Sequence, residues 1–91
     1  MEVEEVLYTH PAIALAAVIG IPDRVKGELA VAYIVLKEGA STTDKEIINF
    51  VRSRIAKYKA PRMLEFVDSL PQGPTGKILK RELRVKMLKK G

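Results

Sequence analysis

The chain has no cysteine among its 91 residues, which removes disulfides, thiolate nucleophiles and Cys-ligated zinc from consideration. Its stability must come from packing alone. Long hydrophobic runs are missing as well. The longest, Ala12 to Ile21, is about half of a bilayer span and reads as a buried strand. Met1-Glu2-Val3-Glu4-Glu5 is acidic where a secretory leader would be basic, so neither export nor a membrane span is expected. The cytoplasm is the expected location, and the lack of cysteine is consistent with its reducing conditions. There is a single His, and residues 69–91 hold no aromatic side chain. No internal repeat, low-complexity tract or linker interrupts the pattern.

What is present fits one globular domain spanning 1–91. Apolar residues make up 47% and charged residues 30%, ordinary values for a folded domain. A chain of this size buries roughly 60–70% of its unfolded surface, enough for one modest core. The net charge of +5 is concentrated at one end: residues 72–91 carry seven Lys or Arg against the lone acid Glu82. Such an end suits an anionic partner, whether a nucleotide, a phosphate-bearing cofactor, nucleic acid or an acidic protein surface. A short surface helix that merely solvates its lysines has the same composition.

Hydrophobic periodicity orders the elements. Val3, Val6 and Leu7 predict a helix over about 2–8, closed by His10-Pro11. Residues 13–21 and 29–36 are apolar on both alternating faces and predict two strands covered on both sides. Pro22-Asp23 is expected to turn the chain into a polar loop, Arg24 to Glu28. Thr43-Asp44-Lys45-Glu46 has the capping-box form, and Ile47, Ile48, Val51, Ile55 and Tyr58 continue it as a helix over about 43–57. Met63 to Val67 reads as a short strand, and a basic helix over about 79–89 carries Leu79, Leu83 and Met87 on one side. The expected fold class is α+β, a small three-stranded sheet flanked by helices in the order α-β-β-α-β-α. His10 is expected to cap or pack, and Tyr33 and Phe66 to lie in the core.

The residues that could carry chemistry lie in Pro71-Gln72-Gly73-Pro74-Thr75-Gly76-Lys77. This is not a nucleotide-binding P-loop. That loop needs four residues between its glycine and the Gly-Lys pair, then Ser or Thr for magnesium; here there are two, then Ile78. What remains is a lysine on a loop shaped by Gly and Pro, directly before a helix. It is a point charge suited to anionic oxygens, or an ordinary exposed lysine.

Leu70-Pro71-x-x-x-Thr75-Gly76-Lys77-Ile78-x-Lys80-Arg81-x-Leu83-Arg84 resembles the C-terminal motif of AMP-forming acyl-CoA synthetases, members of the adenylate-forming (ANL) superfamily. Glu2-Val3-Glu4-x-Val6-Leu7-x-x-His10-Pro11, Val18-Ile19-Gly20-Ile21-Pro22-Asp23 with Gly27-Glu28, Tyr58-Lys59-x-Pro61 and Phe66-Val67-Asp68-x-Leu70-Pro71 resemble the same small domain in order and spacing. The likeness spans essentially the whole chain and is greatest to medium- or long-chain fatty-acid ligases.

The resemblance implies a function. In such enzymes a carboxylate attacks the α-phosphate of ATP, and CoA thiol then displaces AMP from the acyl-adenylate. Lys77 takes the role of the adenylation lysine, with Thr75 and Gly76 supporting its loop. The domain rotates between the half-reactions, and the face then offered to CoA would include Lys26, Gly27, Glu28 and Arg52. Ala60 stands where some relatives carry a CoA-contacting Tyr. ATP, CoA and Mg2+ are expected in the full-length enzyme, none of them held tightly by this domain alone, and no metal site is expected in the chain itself. The main partner is a large N-terminal domain which, with its hinge, would precede Met1, so these 91 residues alone are expected to be inactive. Two rivals differ in partner. An adenylation domain serving a carrier protein usually shows Asp-Arg after Gly-Lys-x, where this chain has Leu79-Lys80-Arg81. A nucleic-acid module would interleave aromatics with its basic patch, which residues 69–91 do not.

Overall fold

The computed structural model describes residues 2–25, 27–55 and 60–90. Its elements follow the expected order: α1 Glu2–Tyr8, β1 Ile13–Asp23, β2 Gly27–Leu36, α2 Asp44–Arg52, β3 Met63–Phe66 and α3 Lys80–Lys90. The sheet runs β1-β2-β3, with β1 and β2 antiparallel and β3 parallel to β2.

The period-two alternation of the strands sorts their side chains into two layers. Ala16 and Val18 of β1 and Ala32 and Ile34 of β2 face Val3 and Leu7 of α1 and Ile47 and Val51 of α2. Their neighbours Ala17, Ile19, Val31 and Tyr33 face the other way, onto Leu70 and Leu83. Both faces are thus covered, as the unbroken apolar runs require. Tyr33, Leu7, Ile19 and Ile34 are fully buried, and burial of a large apolar side chain contributes about 1.5–3 kcal/mol.

The outer edge of β1 is sealed by side chains of α1. Glu4 Oε2 accepts the Val18 N–H at 2.9 Å, and the Tyr8 hydroxyl both accepts from Ala16 N and donates to Ala16 O at 3.2 Å. A bare edge would leave those backbone groups open to pairing with another chain.

Several boundaries differ from expectation. Pro22 and Asp23 do not turn the chain. They continue β1, opposite Glu28 and Gly27, because ladder hydrogen bonds belong to the backbone and can outrun the apolar side chains. Helix α2 begins as predicted, with Thr43 capping Glu46 N at 3.2 Å, but the carboxylate of Glu46 accepts from Thr42 Oγ1 at 2.6 Å. It ends at Arg52, with Ser53, Arg54 and Ile55 still bonded back to its last carbonyls. The predicted helix therefore runs too long over 53–55, which form a turn; residues 56–57 and Tyr58 lie outside the described residues, as does the side chain of Met87. Phe66 is 38% exposed and therefore not core, since it lies on β3, an edge strand of the sheet. Tyr33 is buried as expected. His10 also takes its expected role: Nδ1 accepts from Ala12 N at 3.1 Å, and the ring meets Phe50 edge-on at 4.7 Å.

Candidate functional site

Lys77 closes a short hairpin built from its own backbone. Gln72 and Ile78 form an antiparallel bridge, Gly73 N donates to Lys77 O at 2.9 Å, and Leu79 N donates to Pro71 O at 2.8 Å. At the tip Gly76 N donates to Gly73 O at 2.9 Å, making a β-turn with Pro74 at the corner whose φ proline presets. Gly76 has φ +83°, a left-handed conformation that side chains resist, and it delivers the chain back into register as a glycine bulge. Thr75 and Lys77 are exposed. Ile78 joins the apolar layer of Leu70 and Leu83, so the turn stands on packed chain at its base.

The side chain of Lys77 points out of a fixed backbone, and among the described residues no carboxylate pairs with it. Two concavities among the described residues do not include Lys77: one is lined by Glu5, Val6, Thr9, Pro11, Phe50 and Arg54, another by Val35, Leu36, Phe66, Val67 and Asp68. Arg81, Arg84 and Lys86 are exposed on the following helix and keep the neighbourhood of Lys77 positive.

The other expected residues are not on the same side. The Lys77 hairpin packs over the layer of Leu70 and Leu83, whereas Arg52 belongs to the helix covering the opposite face. Arg52 is exposed in the last turn of α2. Its neighbours Phe50 and Arg54 line a concavity with Thr9 and Pro11, and Phe50 meets His10, beside the Ile13–Leu36 end of the ladder, whereas the β1–β2 hairpin turns at the opposite end. There Gly27 has φ +82° and open space around it. Lys26 and the side chain of Glu28 lie outside the described part, although Glu28 pairs through its backbone with Pro22.

Two arrangements escaped the sequence reading. Lys80 Nζ lies 2.8 Å from Glu4 Oε2, joining the start of α3 to α1. Arg54 lies 3.6 Å above the Phe50 ring, which also receives His10. The first left a signal, because a lysine opening a helix is opposed by the helix dipole and calls for a compensating acid.

The AMP-binding enzyme C-terminal domain pattern matches residues 2–77, ending on Lys77. The chain belongs to this family. The 4-coumarate–CoA ligase-like 9 protein of Oryza sativa is 44% identical over 89 residues, which are 98% of this chain and 16% of that protein. The long-chain-fatty-acid–CoA ligase of Bacillus subtilis is 49% identical over 82 residues, 90% of this chain and 15% of the relative. An acyl-CoA synthetase from Brucella canis superposes with a TM-score of 0.90 at 35% identity, over 98% of this chain and 17% of its own. The amide bond synthetase McbA of Marinactinospora thermotolerans gives 0.88 at 38% identity, over 93% and 17%. ATP-bound MatB of Rhodopseudomonas palustris gives 0.88 at 32%, with the same coverage. The chain thus spans about a sixth of these proteins, as their small AMP-binding C-terminal domain.

Proposed function

We propose that this chain is the mobile C-terminal domain of an AMP-forming acid–thiol ligase and that Lys77 serves the adenylation step. A carboxylate oxygen attacks the α-phosphorus of ATP, pyrophosphate leaves, and an acyl-adenylate remains. The CoA thiol then attacks the acyl carbon and AMP departs. The first step joins two anions and needs no general base, since a carboxylic acid is already ionised near neutral pH. It needs a cation that screens their repulsion and stabilises charge at the five-coordinate phosphorus. The observation carrying this reading is an exposed lysine, unpaired among the described residues, on a glycine-closed hairpin in a domain whose relatives include CoA ligases.

On this reading Thr75 and Gly76 shape the loop beside the adenylate. Lys26, Gly27, Glu28 and Arg52 serve the CoA phosphates and pantetheine in the second half-reaction, after the domain has turned. Among the described residues no group of three His, Asp or Glu side chains is placed to hold a metal ion, so Mg2+ would arrive with the ATP phosphates. The acid is chosen by the large domain, with a medium- or long-chain fatty acid as our assignment. The likeness to an amide bond synthetase favours one second reading, in which an amine replaces the thiol as acceptor. We place the protein in the cytoplasm, although one relative is named as peroxisomal. Among the described residues no helix is long and apolar enough to cross a membrane.

The test is product analysis with the full-length ligase over a panel of carboxylic acids. AMP, pyrophosphate and an acyl-CoA thioester in equal amounts are expected, with none from the 91 residues alone. ADP as product would end the reading, and an amide formed in preference to the thioester would establish the second.

A further inference from the structure

We propose that Glu4 and Lys80 are a positioning pair for Lys77, fastening the start of α3 to the sealed edge of β1 and so fixing the hairpin that presents the lysine. The proposal rests on the adenylation reading above and adds two residues to it.

The geometry singles out one oxygen. Glu4 Oε2 accepts the Val18 N–H at 2.9 Å and receives Lys80 Nζ at 2.8 Å. The hydrogen bond to Val18 ties this carboxylate to the sheet, so Lys80 meets a fixed anion and not a swinging surface side chain. The Glu4 side chain is only 17% exposed and that of Lys80 is 42% exposed. Two charge-assisted bonds on one oxygen tie together α1, β1 and α3.

The location gives the pair its consequence. The Lys77 hairpin is held locally by the Gln72–Ile78 bridge and the Leu79–Pro71 bond. Beyond it the chain is anchored by Leu83, which is buried one turn into α3. Lys80 is the polar anchor between, three residues from Lys77. Its charge also stands at a helix N-terminus, where the dipole repels it unless an acid is close. Without Glu4, the first turn of α3 would be free to lift and carry the hairpin with it. A misplacement of about 1 Å can cost up to about a hundredfold in a reaction that depends on positioning. A partly exposed ion pair holds less firmly, and a three- to tenfold effect is roughly the expected scale. Both partners lie within this one domain, so the pair keeps its geometry when the domain turns.

The experiment uses the full-length ligase carrying Lys80→Met, Glu4→Gln, both together, or Lys80→Arg, with Lys77→Ala as reference. Glu4→Gln retains an oxygen for Val18 N–H but removes the charge. Carboxylate-dependent ATP–pyrophosphate exchange is measured beside thioester formation from supplied acyl-adenylate, with melting temperatures recorded for every variant. Each neutral variant should lower kcat for exchange about three- to tenfold, leaving KM for ATP and the thioester step unchanged. The double variant should be no worse than either single one, and Lys80→Arg should restore most of the rate. Unchanged exchange in both neutral variants while Lys77→Ala abolishes it would overturn the positioning role alone. Equal losses in both half-reactions that track melting temperature would overturn it too, as mere stability. Exchange that survives Lys77→Ala would remove the adenylation reading and the pair's role with it.

Discussion

The two turns closed by left-handed glycines make an instructive comparison. Gly27 has φ +82° and Gly76 φ +83°, and a Cβ at either would meet nothing within 4 Å. Neither glycine is required by crowding; each is required by backbone conformation. Their supports differ. The turn before Gly27 ends a ladder that runs from Ile13–Leu36 to Asp23–Gly27 and shares in the cooperativity of the whole sheet. The turn at Gly76 rests on a single bridge and on side chains that meet the layer of Leu70 and Leu83. The pairing that holds Gly27 is therefore part of the sheet itself. The turn at Gly76 is only as well placed as its packing and the Lys80–Glu4 pair make it, and it carries the lysine.

That difference can be broken on purpose. The largest stability loss should come from Leu83→Ala, which removes the buried anchor of α3 at a cost of about 2–5 kcal/mol. It should lower the melting temperature and loosen the Lys77 hairpin in hydrogen exchange, while the β1–β2 ladder keeps its protection below the melt. Next comes Gly76→Val, which forces a β-branched side chain into the left-handed region at about 1–3 kcal/mol. Its loss in adenylation should exceed what its melting temperature explains. Gly27→Ala meets the same strain without a β-branch and should cost about 1 kcal/mol. Adenylation should stay intact and any defect should fall on the thioester step. Thr43→Ala is the control. Loss of the α2 cap should cost about 1 kcal/mol in thermal melts and leave the ratio of the two half-reactions unchanged. Equal responses of the two turns to their glycine substitutions would dissolve the comparison.

Element order was legible in the sequence because each element carries a strong local signal. The unbroken apolar runs of β1 and β2 announce a sheet covered on both faces, and Thr43 starts α2 where its cap indicates. Misreadings occurred where backbone pairing or topology decides. Pro22 looked like a turn but sits in a strand, and Phe66 looked like core but falls, partly exposed, on an edge strand. The hairpin of Lys77 was visible as a Gly- and Pro-shaped loop, yet spacing alone could not tell a working lysine from an exposed one. Only the motif likeness did so. Glu4 and Lys80 were illegible as a pair because they lie near opposite ends of the chain.

The central claim is that Lys77 acts in adenylation and not in acyl transfer, and one measurement addresses it directly. In the full-length ligase, Lys77→Ala should lower carboxylate-dependent ATP–pyrophosphate exchange by about 10²–10³, while thioester formation from supplied acyl-adenylate stays within about twofold of the unaltered enzyme. Unchanged exchange, or an equal fall in both half-reactions, would contradict the account.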